Sequence, residues 1–158
     1  MTEQIIKQVI NAWTAQNKNV ADFFSKYPDD AYLKEVAPGR NRPVYLLGHL
    51  IASNDGMLPL FGMGEKLFPQ YEAIFSKSPD KTVADIPSVA TLKEDWEKLN
   101  ATLTDHFSKM TAAEWLSKHT AVSEEDFAKD PLRNKLNVLI GRTNHQSYHR
   151  GQVNLLTV

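Results

Sequence analysis

An all-α fold, a four-helix bundle, is predicted by three observations. Four long stretches carry apolar residues at helical spacing. No stretch alternates as a half-buried strand would, and no internal repeat or heptad run is present. Pro and Gly punctuate the segments between the stretches. A chain of 158 residues has the length of one domain, here residues 1–158, built on one sizeable core. Helices in such a bundle pack ~18–20° from parallel or antiparallel.

The first helix is expected over residues 3–27, with Ile5, Ile6, Val9, Ile10, Trp13, Val20, Phe23 and Phe24 near a 3.6 period. Thr2 can cap it, Pro28 stops it, and the polar run Gln16-Asn17-Lys18-Asn19 marks an interruption. A connection over 28–42 carries Pro28, Pro38, Gly39 and the basic pair Arg40 and Arg42. The second helix, 43–61, starts with Pro43 at a first-turn position, where its missing N–H costs nothing. It is apolar nearly all round at its start, which predicts deep burial, and Pro59 should kink or end it.

Residues 62–87 form a long irregular connection between helices two and three, broken by Gly62, Gly64, Pro69, Pro79 and Pro87. Only Tyr71–Phe75 suggests a turn of helix, and a connection of this length is a candidate for covering a pocket. The third helix, 88–109, has Ser88 as its cap and the most regular apolar stripe in the chain: Val89, Leu92, Trp96, Leu99, Leu103 and Phe107. Thr111-Ala112-Ala113-Glu114 matches a capping box and predicts a short helix through Ser117. The acidic segment 118–130, including Ser123-Glu124-Glu125-Asp126, reads as solvated loop. The last helix is expected over 131–157, with Asp130 as cap, Pro131 in the first turn, and Leu132, Leu136, Leu139, Ile140, Val153 and Leu156 on its apolar face.

Composition narrows the function. The net charge is −1, and no basic stripe is present to grip phosphates, so nucleic acid is not an expected partner. No apolar run approaches the ~20 residues of a membrane span. The polar, acidic start Met1-Thr2-Glu3-Gln4 does not read as a signal peptide. Cysteine is absent, which excludes disulfides, thiolate metal sites and a cysteine nucleophile, and is compatible with a cytoplasmic setting. Any metal must be held by His, Asp, Glu or water.

Within the last helix, His145 and His149 are four residues apart, so their imidazoles lie on one face, one turn above the other, and can converge on one ion. The best third ligand is His49, in the middle of the second helix, since bundles build metal sites from inward side chains of facing helices. Three imidazoles leave positions open for water or substrate, the catalytic type of site. Nitrogen donors suit zinc, nickel, iron or copper. The alternative for His49 is a hydrogen-bonded core histidine, while His106 and His119 read as surface or helix-terminal residues. Gln152 and Asn144 are candidates to orient a ligand or bound water, and Asp55 is a further candidate acceptor nearly two turns from His49. Arg150 suggests a structural ion pair with an acidic group, Gly151 suggests close helix approach, and Trp13, Trp96 and Met57 suggest core or pocket lining.

The segment His145-Gln-Ser-Tyr-His149-Arg-Gly-Gln152 resembles the His-x-x-x-His-Arg-Gly-Gln signature of the DinB-like (damage-inducible) four-helix bundle family. Leu47-Gly48-His49-Leu50-Ile51 is similar to that family's first metal-ligand segment, and the order of helices matches over nearly the whole chain. The resemblance implies a divalent-metal site of His49, His145 and His149, with zinc or nickel the commonest ions, and a homodimer. Some members of that family are metal-dependent transferases or isomerases that use a low-molecular-weight thiol, so the resemblance implies such chemistry on a small electrophile as an expectation here. The short tail after the motif, to Val158, departs from the pattern and bears on the rim of the site.

Two further readings stand beside the enzyme. The same triad could serve a non-catalytic metal- or small-ligand-binding stress-response bundle, or the histidines could be core residues of a structural helical protein. No general base is evident: Glu65, Tyr71 and Glu72 could approach from the long connection, although each reads more simply as a surface residue.

Overall fold

A computed structural model describes all residues, 1–158, and is entirely helical apart from its connections, with no strand. The helices are α1 (Thr2–Phe24), α2 (Pro43–Asp55), α3 (Met57–Phe61), α4 (Tyr71–Phe75), α5 (Val89–Lys109), α6 (Ala112–Trp115), α7 (Glu124–Lys129) and α8 (Lys135–Val153), with a 3₁₀ turn at Asp29–Leu33. The four long ones make the bundle. α1 packs against α8 and α5, and α2 packs against the same two. The ring therefore runs α1, α8, α2, α5, which sets α2 beside α8 and brings the histidine-bearing helices together.

Amphipathic spacing produces this arrangement as expected. The stripe from Val89 to Phe107 on α5 is buried along its whole length. Trp13, Trp96 and Met57 are core residues, and one contiguous cluster of buried apolar side chains joins all four long helices. One end of the bundle is closed by aromatic rings, with Trp13 and Trp115 against Phe107 at centroid distances of 5.1 and 5.0 Å. At the other end Tyr32 packs on Phe24 at 4.9 Å and donates its O–H to Phe23 O at 2.7 Å.

Several local expectations are corrected. α1 runs unbroken through Gln16–Asn19 because Asn17 is buried and its Oδ1 accepts from Gln146 Nε2 of α8 at 2.8 Å. The polar run is a tie between helices, not an interruption. The second helix breaks at Gly56, ahead of Pro59. Proline lacks the N–H that would bond the carbonyl four residues back, and its ring crowds that carbonyl. The affected carbonyl is that of Asp55, the last residue of α2.

The acidic segment 118–130 contains α7, with Ser123 Oγ accepting from Asp126 N at 3.1 Å and three carboxylates in the first turn. A serine cap followed by acids that complement the helix dipole was the available signal. The last helix begins four residues later than Pro131 implies. Asn134 is its cap, accepting from Asn137 N at 2.9 Å, while Asp130 accepts from Leu132 N at 3.1 Å in a preceding turn. Leu132 is consequently 70% exposed, off the apolar face.

Candidate metal centre

α8 carries His145 and His149 on one stripe, and α2 presents His49 to them. The three rings form a nearly equilateral set, with centroid separations of 4.5 Å for His145–His149, 5.0 Å for His49–His145 and 5.1 Å for His49–His149. All three are half-buried, and one ligand atom from each lies within 4.8 Å of the others. The Nε2 atoms converge: His145 Nε2 is 3.1 Å from His49 Nε2 and 2.9 Å from His149 Nε2.

The partners of the outer nitrogens decide where the protons are. His49 Nδ1 lies 2.7 Å from the carbonyl of Phe75, which can only accept, so Nδ1 carries the proton and Nε2 the lone pair. His149 Nδ1 lies 2.7 Å from Gln152 Oε1. The Gln152 amide is oriented by its Nε2, which donates to Tyr148 Oη at 3.1 Å, so His149 also turns a lone pair inward. Between these sits His145, whose Nδ1 is buried without a hydrogen-bond partner. If His145 keeps its proton on Nδ1, three lone pairs face one another. If it moves the proton to Nε2, that one proton serves two acceptors. A cation satisfies all three nitrogens at once.

Distances agree with this. Two nitrogens each about 2.0–2.1 Å from one zinc ion stand roughly 2.9–3.4 Å apart for angles between right-angled and tetrahedral. The observed separations of 2.9 and 3.1 Å lie within that range. Electrostatics point the same way. Burial, then the neighbouring His149, His49 and Arg142, pushes the His145 imidazole down to about 4. Burial also lowers His149, partly opposed by its bond to Gln152. Both rings are therefore neutral at neutral pH, the form that ligates metals.

The surroundings of His49 come from the long connection. Gly48 lets the connection approach: an added Cβ there would meet the Phe75 ring at 2.5–2.6 Å. Phe75 thus packs flat on α2 and delivers its carbonyl to His49. The connection is tied down on both sides of this point. The buried carboxylate of Asp55 accepts from Leu67 N at 2.8 Å and Phe68 N at 2.7 Å. Tyr45 donates to Ser78 O at 2.7 Å, and Arg42 grips the buried Asp80 carboxylate at 2.7 Å. Residues 62–87 therefore build a wall of the site, and Asp55 is a loop anchor bonded to that wall's backbone.

Of the two candidate orienting residues, Gln152 meets His149, while Asn144 is exposed and hydrogen-bonds neither histidine. Asn144 precedes His145 by one residue and is turned about 100° away around the helix. Arg150 has no acidic partner. Its Nε donates to Asn19 O at 3.0 Å and its guanidinium lies 5.1 Å from the Phe23 ring centroid, clamping α8 to α1. Gly151 is exposed with nothing within 4 Å of an added Cβ, so close helix approach is a property of Gly48 and not of the motif glycine.

The residues of the long connection supply no base. Glu65 is exposed, Glu72 is paired with Lys66 and Lys77, and Tyr71 donates to Asp95. His119 and His106 lie apart from the triad. Sequence reasoning missed Phe75, because a backbone carbonyl has no side-chain signature, and Tyr148, which orients Gln152. A cleft of about 430 Å³ opens beside this end of the triad, lined by Val36, Arg40, Leu46, Tyr148, Gln152 and Leu155 among others.

No helix of the structure is long and apolar enough to cross a membrane. Among curated proteins, none matches the chain. Residues 12–153 match the family model of the DinB superfamily, a span that takes in α2 with His49 and the whole of the α8 motif. A match of that extent, over a helical bundle whose second and last long helices meet at a histidine triad, makes this chain a member of the DinB superfamily.

Proposed function

We propose that the protein is a metal-dependent transferase or isomerase that activates a low-molecular-weight thiol toward a small electrophile, with zinc or nickel at His49, His145 and His149. The observation that supports this reading most is the convergence of three imidazole Nε2 atoms with no fourth protein ligand, beside an open cleft. A closed structural site would take four protein ligands, whereas three leave room for an exogenous one.

When bound, the ion lowers the pKa of a coordinating thiol and keeps it as thiolate at neutral pH. The protein's residues do the rest. Phe75 O and Gln152 Oε1 hold the His49 and His149 rings in orientation, and such outer partners are worth about 10–100-fold in affinity or activity at comparable sites. The cleft beside Tyr148 and Gln152 receives the electrophile. The sulfur forms a C–S bond to the electrophilic carbon, the leaving group departs with its electron pair, and the thiol proton passes to solvent. No side-chain base is needed if the thiol is already ionised. The net charge of −1 gives no support to a nucleic-acid partner. A homodimer is carried over from the family resemblance, and light scattering tests it; a cytoplasmic setting is compatible with the absence of cysteine.

The lack of any carboxylate hydrogen-bonded to the triad favours one second reading, a non-catalytic metal- or ligand-binding bundle. The two separate in a turnover assay. Metal-loaded protein, a panel of small thiols and a chromogenic aryl halide should show metal-dependent thioether formation that His145→Ala abolishes. Stoichiometric metal binding with no turnover across that panel would leave the binding module.

A further inference from the structure

One charged side chain near the triad is left without a partner. Arg142 lies three residues before His145 on the stripe that carries both motif histidines, in the middle of α8. Residues three apart on a helix are neighbours, about 5–6 Å between Cβ atoms. The side chain is half-buried, its Nε is shielded from solvent and makes no hydrogen bond, and no carboxylate lies near enough to offset the burial. Every other half-buried arginine of the chain is matched. Arg42 has Asp80, and Arg150 has the Asn19 carbonyl and the Phe23 ring.

A guanidinium partly withdrawn from water, its Nε buried without an acceptor, is unfavourable, and a mid-helix position gives it no help from the helix dipole. Proteins keep such groups where a ligand completes them, and the planar fork of arginine suits carboxylates. Its neighbours on the metal side, His145 and His149, are imidazoles and offer no anionic group.

We propose that Arg142 is an anion-binding residue of this centre, holding the carboxylate of a small ligand whose other end reaches the histidine triad. The identity of that other end as a thiol rests on the function proposed above. The class of ligand is then a carboxylate-bearing thiol, entering with its carboxylate one helical turn from the metal position and leaving the cleft at Tyr148 and Gln152 for the electrophile.

Calorimetric titration tests this on the full-length zinc-loaded parent, Arg142→Gln and Arg142→Lys, with 3-mercaptopropionate, 2-mercaptoethanol and propionate as probes. The parent should bind the carboxylate thiol about tenfold or more tightly than the neutral thiol, the usual weight of a charge-assisted bond. Arg142→Gln should lose that preference while its zinc content and its affinity for 2-mercaptoethanol stay unchanged, and Arg142→Lys should keep part of it. An Arg142→Gln variant that retains the preference overturns the proposal. If neither thiol binds the parent, the transferase reading fails, and propionate decides Arg142 alone. Arg142-dependent propionate binding supports the anion site, and identical weak binding to parent and variant removes it. Thermal melting adds a readout that a structural role would move the other way. Arg142→Gln should melt at or above the parent temperature, and a clear drop would mean that the arginine supports the fold instead.

Discussion

Gly48→Ala isolates how the long connection serves the histidines. A methyl group at this position would sit 2.5–2.6 Å from three atoms of the Phe75 ring, well inside contact distance. The ring has little room to yield, since Phe75 is fully buried and packs edge-to-face with Tyr71 at a centroid distance of 5.4 Å. Phe75 must therefore move away from α2 and carry its carbonyl from His49 Nδ1, now 2.7 Å away. Overpacking of this kind costs about 1–3 kcal/mol, which for a chain of this size lowers the melting temperature by roughly 2–10 °C. Loss of the carbonyl frees the His49 ring to rotate and reduces metal affinity about 10–100-fold. Thermal melting of the metal-free protein and a competitive chelator titration with zinc read the two effects separately. Gly151→Ala is the control: it sits in the histidine motif, yet its Cβ meets nothing. It should bind zinc as the parent does and melt at or slightly above the parent temperature, since alanine favours helix over glycine by about 1 kcal/mol. Parental melting and parental zinc affinity in Gly48→Ala would mean that the Phe75 contact with Gly48 does not hold the His49 ring. So would a larger loss of zinc affinity in Gly151→Ala than in Gly48→Ala.

Gln152→Leu removes the acceptor for His149 Nδ1 while keeping the volume, and should weaken zinc binding about tenfold or more with little change in helicity by circular dichroism. Asp55→Ala takes both acceptors from Leu67 N and Phe68 N in a buried setting, and should destabilise the protein by about 2–4 kcal/mol in urea denaturation. The pH dependence of the metal-free protein follows from His145, held down to about 4 by burial and its neighbours. The unfolded chain, with an ordinary imidazole near 6.5, binds more protons between those values, so stability rises with pH across that window. Acidifying from about pH 7 to about pH 4.5 should remove on the order of 1–2 kcal/mol after allowance for the ring's partial exposure, and melts of the parent and His145→Gln check that the slope depends on this residue.

The four long helices and the His145–His149 pair were legible because both rest on periodicity, whereas His49 was reached from its place in the middle of an apolar helix and from the family resemblance. A stripe every three to four residues survives in the sequence, and so does a histidine pair four apart. What decided the environment of the triad was not periodic. The Phe75 carbonyl is a backbone atom 26 residues from His49 in the chain, and its approach depends on the missing side chain of Gly48. The motif glycine, Gly151, drew attention by its position in the pattern and proves to be sterically idle. The capped start of α8 was misplaced by four residues because Asp130-Pro131 is as plausible a helix entry as Asn134, and only tertiary packing chose between them. Asn17 looked like a weak point in α1 because its amide partner, Gln146, is 129 residues away.

His49, His145 and His149 form the one cluster, between α2 and α8, that could hold a divalent ion. Elemental mass spectrometry on the purified parent and on His49→Ala, His145→Ala and His149→Ala counts that ion, with circular dichroism to confirm that each variant stays helical. The parent should hold close to one ion per chain, by itself or after zinc or nickel is added back, and all three folded variants should lose it. An ion retained with parental affinity in any one of them, or a parent that takes up no ion at all, would contradict a metal site shared by the three histidines.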